Sequence, residues 1–303
     1  MHGLLKSAAL TALATMAAWT AAASSVDPKT EQANIEQWRA KRLASLTSDT
    51  GWLTLAGLFW LKPGENTFGR ASSNTLVLDN PALAETAGSF VISGHDVRFT
   101  AVGGSGVTHD GQPVTSMDLI SDAKEEPTVL QSGPLRFFVI ERAGNLGVRV
   151  RDLNNPHRKN FRGLQYFPVN PDWLFAARFE PYEPRRHVKI VNILGMEEDM
   201  ECPGALVFTK DGHEWRLDAV LEEPDAKELF IMFADATSGH ETYGAGRFMY
   251  VSFPENGKTV LDFNKAYNPP CAFNDFATCP LPPYQNRLKL RIDAGEKKYA
   301  NGH

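Results

Sequence analysis

The sequence predicts a mainly β protein in which an N-terminal helix precedes two β-sandwich or barrel-like units. From residue 75 to residue 152, short apolar runs are separated by Gly, Pro, Asn and Asp, a pattern typical of sandwiches. Apolar residues at helical spacing are concentrated near residues 31–46. The length of 303 residues accommodates two modest domains.

The first 23 residues have the organisation of a secretory signal peptide. Lys6 supplies the positive start, residues 7–19 are mostly apolar, and the alanines at 21–23 offer a cleavage site. The apolar part is shorter than the roughly 20 residues that cross a bilayer. We therefore expect an exported, periplasmic or extracellular protein that no membrane holds after cleavage. An uncleaved anchor is the alternative.

Residues 24–47 are predicted to form the N-terminal helical segment. Ile35, Trp38, Leu43 and Leu46 lie near one stripe at a period of 3.6 residues. Such a stripe predicts a helix that buries one side against the rest of the protein.

Residues 48–155 are predicted to form the first β unit. Runs such as SFVIS and DVRFTAV alternate apolar with polar residues, as half-buried strands do. In LGVRVRD, Arg149 and Arg151 alternate with valines and therefore share one face of a strand. The stretch FGRASSNTLVL and the hairpin after it resemble a forkhead-associated sandwich. Arg70 matches that family's phosphate-reading arginine only loosely and the Ser-x-x-His is missing, so the resemblance implies topology alone.

Residues 156–303 are predicted to form the second β unit, after a turn-rich boundary near residues 152–165. Its strand-like runs are broken by prolines, and Asp211-Gly212 indicates a hairpin. Residues 262–287 read DFNKAYNPPCAFNDFATCPLPPYQNR, with five prolines, four asparagines and two cysteines. This stretch can form neither a regular helix nor a central strand.

Charge and motifs exclude several classes of function. The formal net charge of −5 argues against a nucleic-acid partner, which needs a basic face. The sequence lacks H-E-x-x-H, a G-x-S-x-G elbow, a P-loop and a complete G-x-G-x-x-G. We therefore predict no metal, cofactor or nucleic acid. The sequence favours a small polar or anionic ligand as the partner. It gives no indication of the oligomeric state.

The stretch from Asp235 to Arg247 is the first candidate site. Asp235 ends an apolar run, Ser238 lies in the turn after it, and Tyr243 and Arg247 flank a flexible Gly-Ala-Gly. Arg247 could hold a carboxylate or phosphate through two parallel hydrogen bonds. The alternative is that Asp235 and Arg247 simply form an ion pair with each other across the turn.

The proline-rich stretch is the second candidate. Asp262, Asn264 and Asn268 could face a ligand from a rigid wall, or could bond to nearby backbone and hold turns. Cys271 and Cys279 are candidates for a disulfide in an oxidising compartment.

Five long segments resemble the family named domain of unknown function 1684. They are GWLTLAGLFWL, RDLNNPHRKNFRGLQYFP, TSGHETYGAGRFMY, DFNKAYNPPCAF and TCPLPPYQNRLKLRIDAGEK. The resemblance covers the chain after residue 36 and implies no activity, because none is assigned to the family. It implies that a set of polar residues and cysteines recurs among relatives: Arg151, Asp152, Tyr243, Arg247, Asp262, Asn264, Asn268, Cys271 and Cys279. Many relatives lack a secretion signal, which weakens the disulfide prediction.

Two hypotheses follow. In the first, the protein is a metal-independent enzyme, with hydrolysis as the expected class, in which Arg247 holds an anion, Tyr243 donates or accepts a proton and Asp262 is a base or orients one. The remaining candidates would bind the ligand: Arg151, Asp235, Ser238, Asn264 and Asn268. In the second, the protein is a non-catalytic binding or scaffold module in which the same motifs stabilise a rigid loop. Convergence of the candidates on one concave pocket would favour the enzyme, and pairing among themselves would favour the module.

Overall fold

The computed structural model describes residues 28–123 and 126–299. The predicted signal segment, residues 1–23, lies outside the described residues. The predicted fold class is confirmed, since an N-terminal helix is followed by antiparallel sheets. Among the described residues, no helix is long and apolar enough to cross a membrane.

The predicted helix is confirmed as α1 (Pro28–Thr47). Ile35 and Leu46 are completely buried, but Leu43 is 41% exposed, so its place on the buried stripe was predicted wrongly. Each residue advances the helix by about 100°. Leu43 is therefore carried past the buried face, and Arg42 takes its place there, with its Nε atom 3.0 Å from a carboxylate oxygen of the C-terminal segment.

The first half of the chain is a β-sandwich of two sheets. Its strands are β1 (Leu55–Trp60), β2 (Gly64–Gly69), β3 (Leu76–Val77), β4 (Gly88–Ser93), β5 (Asp96–Ala101), β6 (Thr108–His109), β7 (Gln112–Pro113), β8 (Ser116–Leu119), β9 (Leu130–Ser132), β10 (Leu135–Arg142) and β11 (Asn145–Asp152). One sheet has the order β1-β11-β10-β9-β6-β7 and the other β3-β2-β4-β5-β8. The strand order does not confirm the forkhead-associated topology.

The sandwich core is aromatic. Phe68, Phe90 and Phe99 of the five-stranded sheet contact Phe137 of the other sheet, with ring centroids 5.2, 6.4 and 6.0 Å away. All four side chains are fully buried. Because side chains alternate along a strand, the valines of β11 enter this core while its arginines leave the sheet on the opposite face, toward the second half.

The second half contains two further sheets. Its elements are α2 (Pro156–Lys159), β12 (Leu174–Val191), β13 (Glu197–Lys210), β14 (His213–Ala219), β15 (Glu228–Phe233), β16 (Arg247–Ser252) and β17 (Lys258–Asp262). The orders are β14-β13-β12-β17 and β15-β16. Phe175, Phe208, Phe233 and Phe263 join the two sheets in one core. The predicted domain boundaries stay predictions.

The last segment, residues 263–299, is irregular, as its prolines predict. It contains three 3₁₀ turns, Phe263–Lys265, Pro270–Ala272 and Tyr284–Asn286. Buried Asn286 fastens it to both sheets, because its amide nitrogen donates to the carbonyl oxygens of Asp218 and Met232, each at 2.8 Å. The segment therefore lies across the edges of the two sheets and reaches α1 beyond them.

Candidate functional site

The first predicted candidate, Arg247, is part of a dry ion pair. Its side chain is completely buried, and Nη2 lies 3.2 Å from Oδ1 of Asp235. The guanidinium also donates to the carbonyl oxygens of Ile292 and Ala294. Burial lowers the pKa of Arg247, while the charge of Asp235 acts in the opposite direction. This ion pair is the arrangement predicted as the alternative to ligand binding.

Asp235 accepts more hydrogen bonds than the one from its arginine. Thr237 Oγ1 donates to it at 2.9 Å and the backbone N–H of Ile292 at 2.8 Å. Ser238 Oγ lies 3.4 Å from its Oδ1 atom and 3.1 Å from its backbone nitrogen. The carboxylate thus joins the end of β15, the turn after it and the C-terminal segment.

Asp262 and Asn264 form a separate cluster. Oδ1 of Asp262 accepts from the backbone N–H and the amide of Asn264, at 3.0 and 2.9 Å, and its Oδ2 is 3.4 Å from Lys265 Nζ. Asn264 exchanges two hydrogen bonds with the backbone of Asn170. Burial, followed by the charge of Asp262, raises the pKa of neighbouring Glu31.

Asn268 and Arg151 also bond within the protein. The Asn268 amide donates to the Lys297 carbonyl at 2.7 Å. Nη1 of Arg151 donates to the Gly51 carbonyl at 2.8 Å and lies 3.1 Å from Thr54 Oγ1, and burial lowers the pKa of Arg151 to about 10. Neither side chain lines the large cleft described below.

Tyr243 lies beside the two cysteines of the proline-rich stretch. Its hydroxyl donates to the Cys271 carbonyl at 3.2 Å, and burial is the main cause that raises the pKa of Tyr243. Cys271 and Cys279 are free thiols in the structure, and the disulfide stays a prediction. The three predicted catalytic residues, Tyr243, Arg247 and Asp262, therefore have separate sets of partners.

A cleft of about 1140 Å³, here called the central cleft, separates the sandwich from the second half. One wall is the outer face of the six-stranded sheet, with Arg142 and Arg149, together with Trp52 from the 3₁₀ turn before β1. The opposite wall comes from β15, β16 and the segment after β17, with Phe248, Tyr250 and other aromatic side chains. Its size suits a small organic molecule, since ligand pockets span roughly 300–1,000 Å³.

Arg149 is the exceptional charge in this cleft. The side chain is 3% exposed, and among the described residues no carboxylate forms an ion pair with it. Nη2 lies 3.3 Å from Thr278 Oγ1, its Nε is buried without a partner, and its carbon Cζ lies 5.8 Å from the centre of the Trp52 ring. Burial and then the charge of Arg142 lower its pKa to about 10, so Arg149 remains a cation at neutral pH.

Aromatic rings cover the wall opposite Arg149. Tyr250 and Tyr267 stack with ring centroids 6.2 Å apart, and Phe230 meets Phe248 edge to face at 5.0 Å. The Tyr250 hydroxyl donates to Glu222 at 2.6 Å. These rings offer an apolar surface on which a flat or aliphatic group can pack.

The rim of the cleft is acidic. Among the described residues that line it, eight are acidic and three are basic. Asp122 is neutralised by Arg142, whose Nη2 lies 2.8 Å from Oδ2. Glu222 is accessible to solvent yet crowded by protein, and this burial raises its pKa above the ordinary 4.5.

The residues of the central cleft were not among the predicted site residues. The signal for Arg149 was the alternation in RVRD, which Arg151 shares. Glu222 and Tyr250 carried no local signal, because they line the same cleft as Arg149 only through docking of the two halves. Within residues 28–123 and 126–299, no three His, Cys, Asp or Glu side chains cluster as a metal site would require.

Comparisons with known proteins agree with the sequence resemblance. The family model described as "Protein of unknown function (DUF1684)" matches residues 159–297. An uncharacterized protein of Haloarcula marismortui, solved by NMR, is 31% identical over 48% of this chain and 80% of its own, with a TM-score of 0.41. No curated protein matches. The family match over residues 159–297 assigns this chain to the DUF1684 family.

Proposed function

We propose that the protein binds a small organic anion in the central cleft, with Arg149 holding the anionic group and the aromatic wall holding an apolar body. The observation that carries the proposal is the buried guanidinium of Arg149, which has no carboxylate partner and faces an open cavity. Burying an unpaired charge costs several kcal/mol of effective solvation in real proteins. A fold that keeps such a charge at a cavity wall is suited to receive an anion there.

The rest of the cleft restricts the ligand to one negative charge. Eight acidic residues surround the cavity among those described, so additional phosphates or carboxylates would meet like charge. The rings of Tyr250 and Phe248 favour a flat or aliphatic body. The proposed class is therefore an amphipathic monoanion, such as an aryl or alkyl carboxylate.

The hydrolase hypothesis draws less support from the contacts of its residues. Arg247 and Asp262 are buried and form ion pairs with Asp235 and Lys265, and Tyr243 donates to a backbone carbonyl. These contacts support the alternative that the motifs stabilise a rigid loop. Binding rather than hydrolysis is therefore the proposed activity, and export remains the expectation from residues 1–23.

A thermal-shift titration tests the proposal. Benzoate, benzenesulfonate, alkyl carboxylates and a triphosphate are compared on the wild type, Arg149→Gln and Arg98→Gln. Arg98 is the matched control, because it is also a strand arginine of the sandwich but is exposed and paired with Asp118. A monoanion at 100 times its Kd should stabilise the wild type and Arg98→Gln by about 2.7 kcal/mol.

Arg149→Gln should show no such stabilisation by the monoanions, and the triphosphate should stabilise none of the three proteins. An equal response of Arg149→Gln and the wild type would refute the proposal. So would the lack of any response of the wild type to all monoanions at millimolar concentration.

A further inference from the structure

We propose that Cys271 and Cys279 form a redox-active dithiol, which a hydroperoxide entering the central cleft oxidises to a disulfide. The proposal shares the cleft and Arg149 with the anion site. It does not depend on anion binding, because the thiols can be oxidised and analysed without any anion present.

The two cysteines lie side by side at the cleft wall. The backbone N–H of Cys271 donates to Sγ of Cys279 at 3.1 Å, and both side chains are buried. Cys279 lines the cleft, whereas Cys271 is held on its other side by Tyr243. One sulfur is thus placed to meet an oxidant and the second to resolve the product.

The pair has the acid–base character that thiol oxidation needs. The hydrogen bond from Cys279 is the main cause that lowers the pKa of Cys271, while burial raises the pKa of Cys279. The pair therefore loses its first proton from Cys271 and keeps the second on Cys279. Burial raises the pKa of the third thiol, Cys202, to about 11, which predicts that it is unreactive.

The oxidation balances with one hydroperoxide. Transfer of the Cys279 proton to the Cys271 thiolate leaves a thiolate at Cys279, which attacks the distal peroxide oxygen. An S–O bond forms, the O–O bond breaks, and the departing alkoxide takes the proton of Cys271. The Cys271 thiolate then attacks the Cys279 sulfenic sulfur, the S–S bond forms, and the hydroxide that leaves becomes water with a proton from solvent. Two thiols are oxidised and the hydroperoxide is reduced to an alcohol and water.

Arg149 is suited to assist the first step. Its charge acts on Cys279 and favours the thiolate there. Its guanidinium bonds to Thr278, the residue next to this cysteine, and lines the same cleft. Donors near the breaking bond would stabilise the charge that develops on the departing oxygen.

The test follows the reduced full chain after addition of one equivalent of hydrogen peroxide, by maleimide labelling and intact mass. The wild type and the matched control Cys202→Ala should lose two labelled thiols and two hydrogens, and peptide mapping should join Cys271 to Cys279. Cys279→Ser should form no disulfide. Cys271→Ser should accumulate a dimedone-reactive sulfenic acid on Cys279. Arg149→Gln should oxidise about tenfold more slowly or worse.

Two results would overturn the proposal. One is that hydrogen peroxide leaves the maleimide labelling of both thiols in the wild type unchanged. The other is Cys271 and Cys279 reacting with iodoacetamide no faster than Cys202 in the wild type, a measurement that does not require any variant to fold. A failed anion titration would leave both readouts unchanged, so the two proposals can be judged separately.

Discussion

Removal of the Asp235 carboxylate should destabilise the protein more than almost any other single polar substitution. Asp235→Ala leaves the guanidinium of Arg247 completely buried, with only backbone carbonyls as partners. Breaking a buried ion pair by removing one partner costs about 3–5 kcal/mol. The N–H of Ile292 loses its acceptor at the same time, and the hydroxyl of Thr237 keeps only Thr242 as a partner. With total stabilities of roughly 5–15 kcal/mol, this is a large fraction of the fold.

Urea unfolding of the full chain measures the loss. We expect Asp235→Ala to lower the free energy of unfolding by at least about 3 kcal/mol. The double variant Asp235→Ala/Arg247→Met should lose clearly less than the sum of the two single variants, because neither charge of the buried pair is left in it. Asp118→Ala, in the exposed ion pair with Arg98, is the control and should leave the midpoint unchanged within error. A loss below about 1 kcal/mol for Asp235→Ala, or strict additivity in the double variant, would refute the reasoning.

Three further predictions follow from the cleft and the C-terminal segment. Arg149→Met should be as stable as the wild type or more so in urea, because an unpaired buried charge is replaced by an apolar side chain; a loss above about 3 kcal/mol would contradict this. Benzenesulfonate, which stays ionised, should bind more tightly as the pH falls from 7 toward 4.5. The pKa of Glu222 is raised, so this carboxylate takes up a proton as the pH falls and no longer repels the anion. An equal pH dependence of the Kd in Glu222→Gln and the wild type would contradict this. Gly295→Ala should lower stability in urea more than Gly195→Ala, although the two φ angles are nearly equal, +80° and +81°. Only at Gly295 would the new Cβ lie 2.5 Å from the Ala266 carbonyl oxygen, and equal urea midpoints of the two variants would contradict this.

The fold class was predictable because its signals are local. Alternation along a strand and turn residues between strands can be read within a few residues, and they gave the sandwich and the hairpin at Asp211-Gly212. The error at Leu43 was a matter of helical phase, since Ile35, Trp38 and Leu46 fix the stripe only to within about one residue. Here an arginine, through its ion pair with the C-terminal segment, occupies the buried side.

The site was less predictable, because it is formed by residues that are distant in sequence. The pairing of Asp235 with Arg247 could be anticipated across a short turn. By contrast, Arg149 lies in the first half and Glu222 and Tyr250 in the second, so they line one cleft only when the two halves dock. The alternation in RVRD predicted that Arg149 and Arg151 share one face. It could not show that Arg151 donates a hydrogen bond to a turn while Arg149 has no carboxylate partner.

The most direct measurement of the central claim is a proton–nitrogen NMR titration of protein labelled at arginine Nε, with Arg149→Lys used to assign the signal. Nε of Arg149 has no partner within the described structure. Addition of benzenesulfonate should shift the Arg149 signal in a saturable way and leave that of exposed Arg98 in place. If the anion binds and the Arg149 signal stays where it was, or if no binding occurs, Arg149 is not an anion site and the proposed function is wrong.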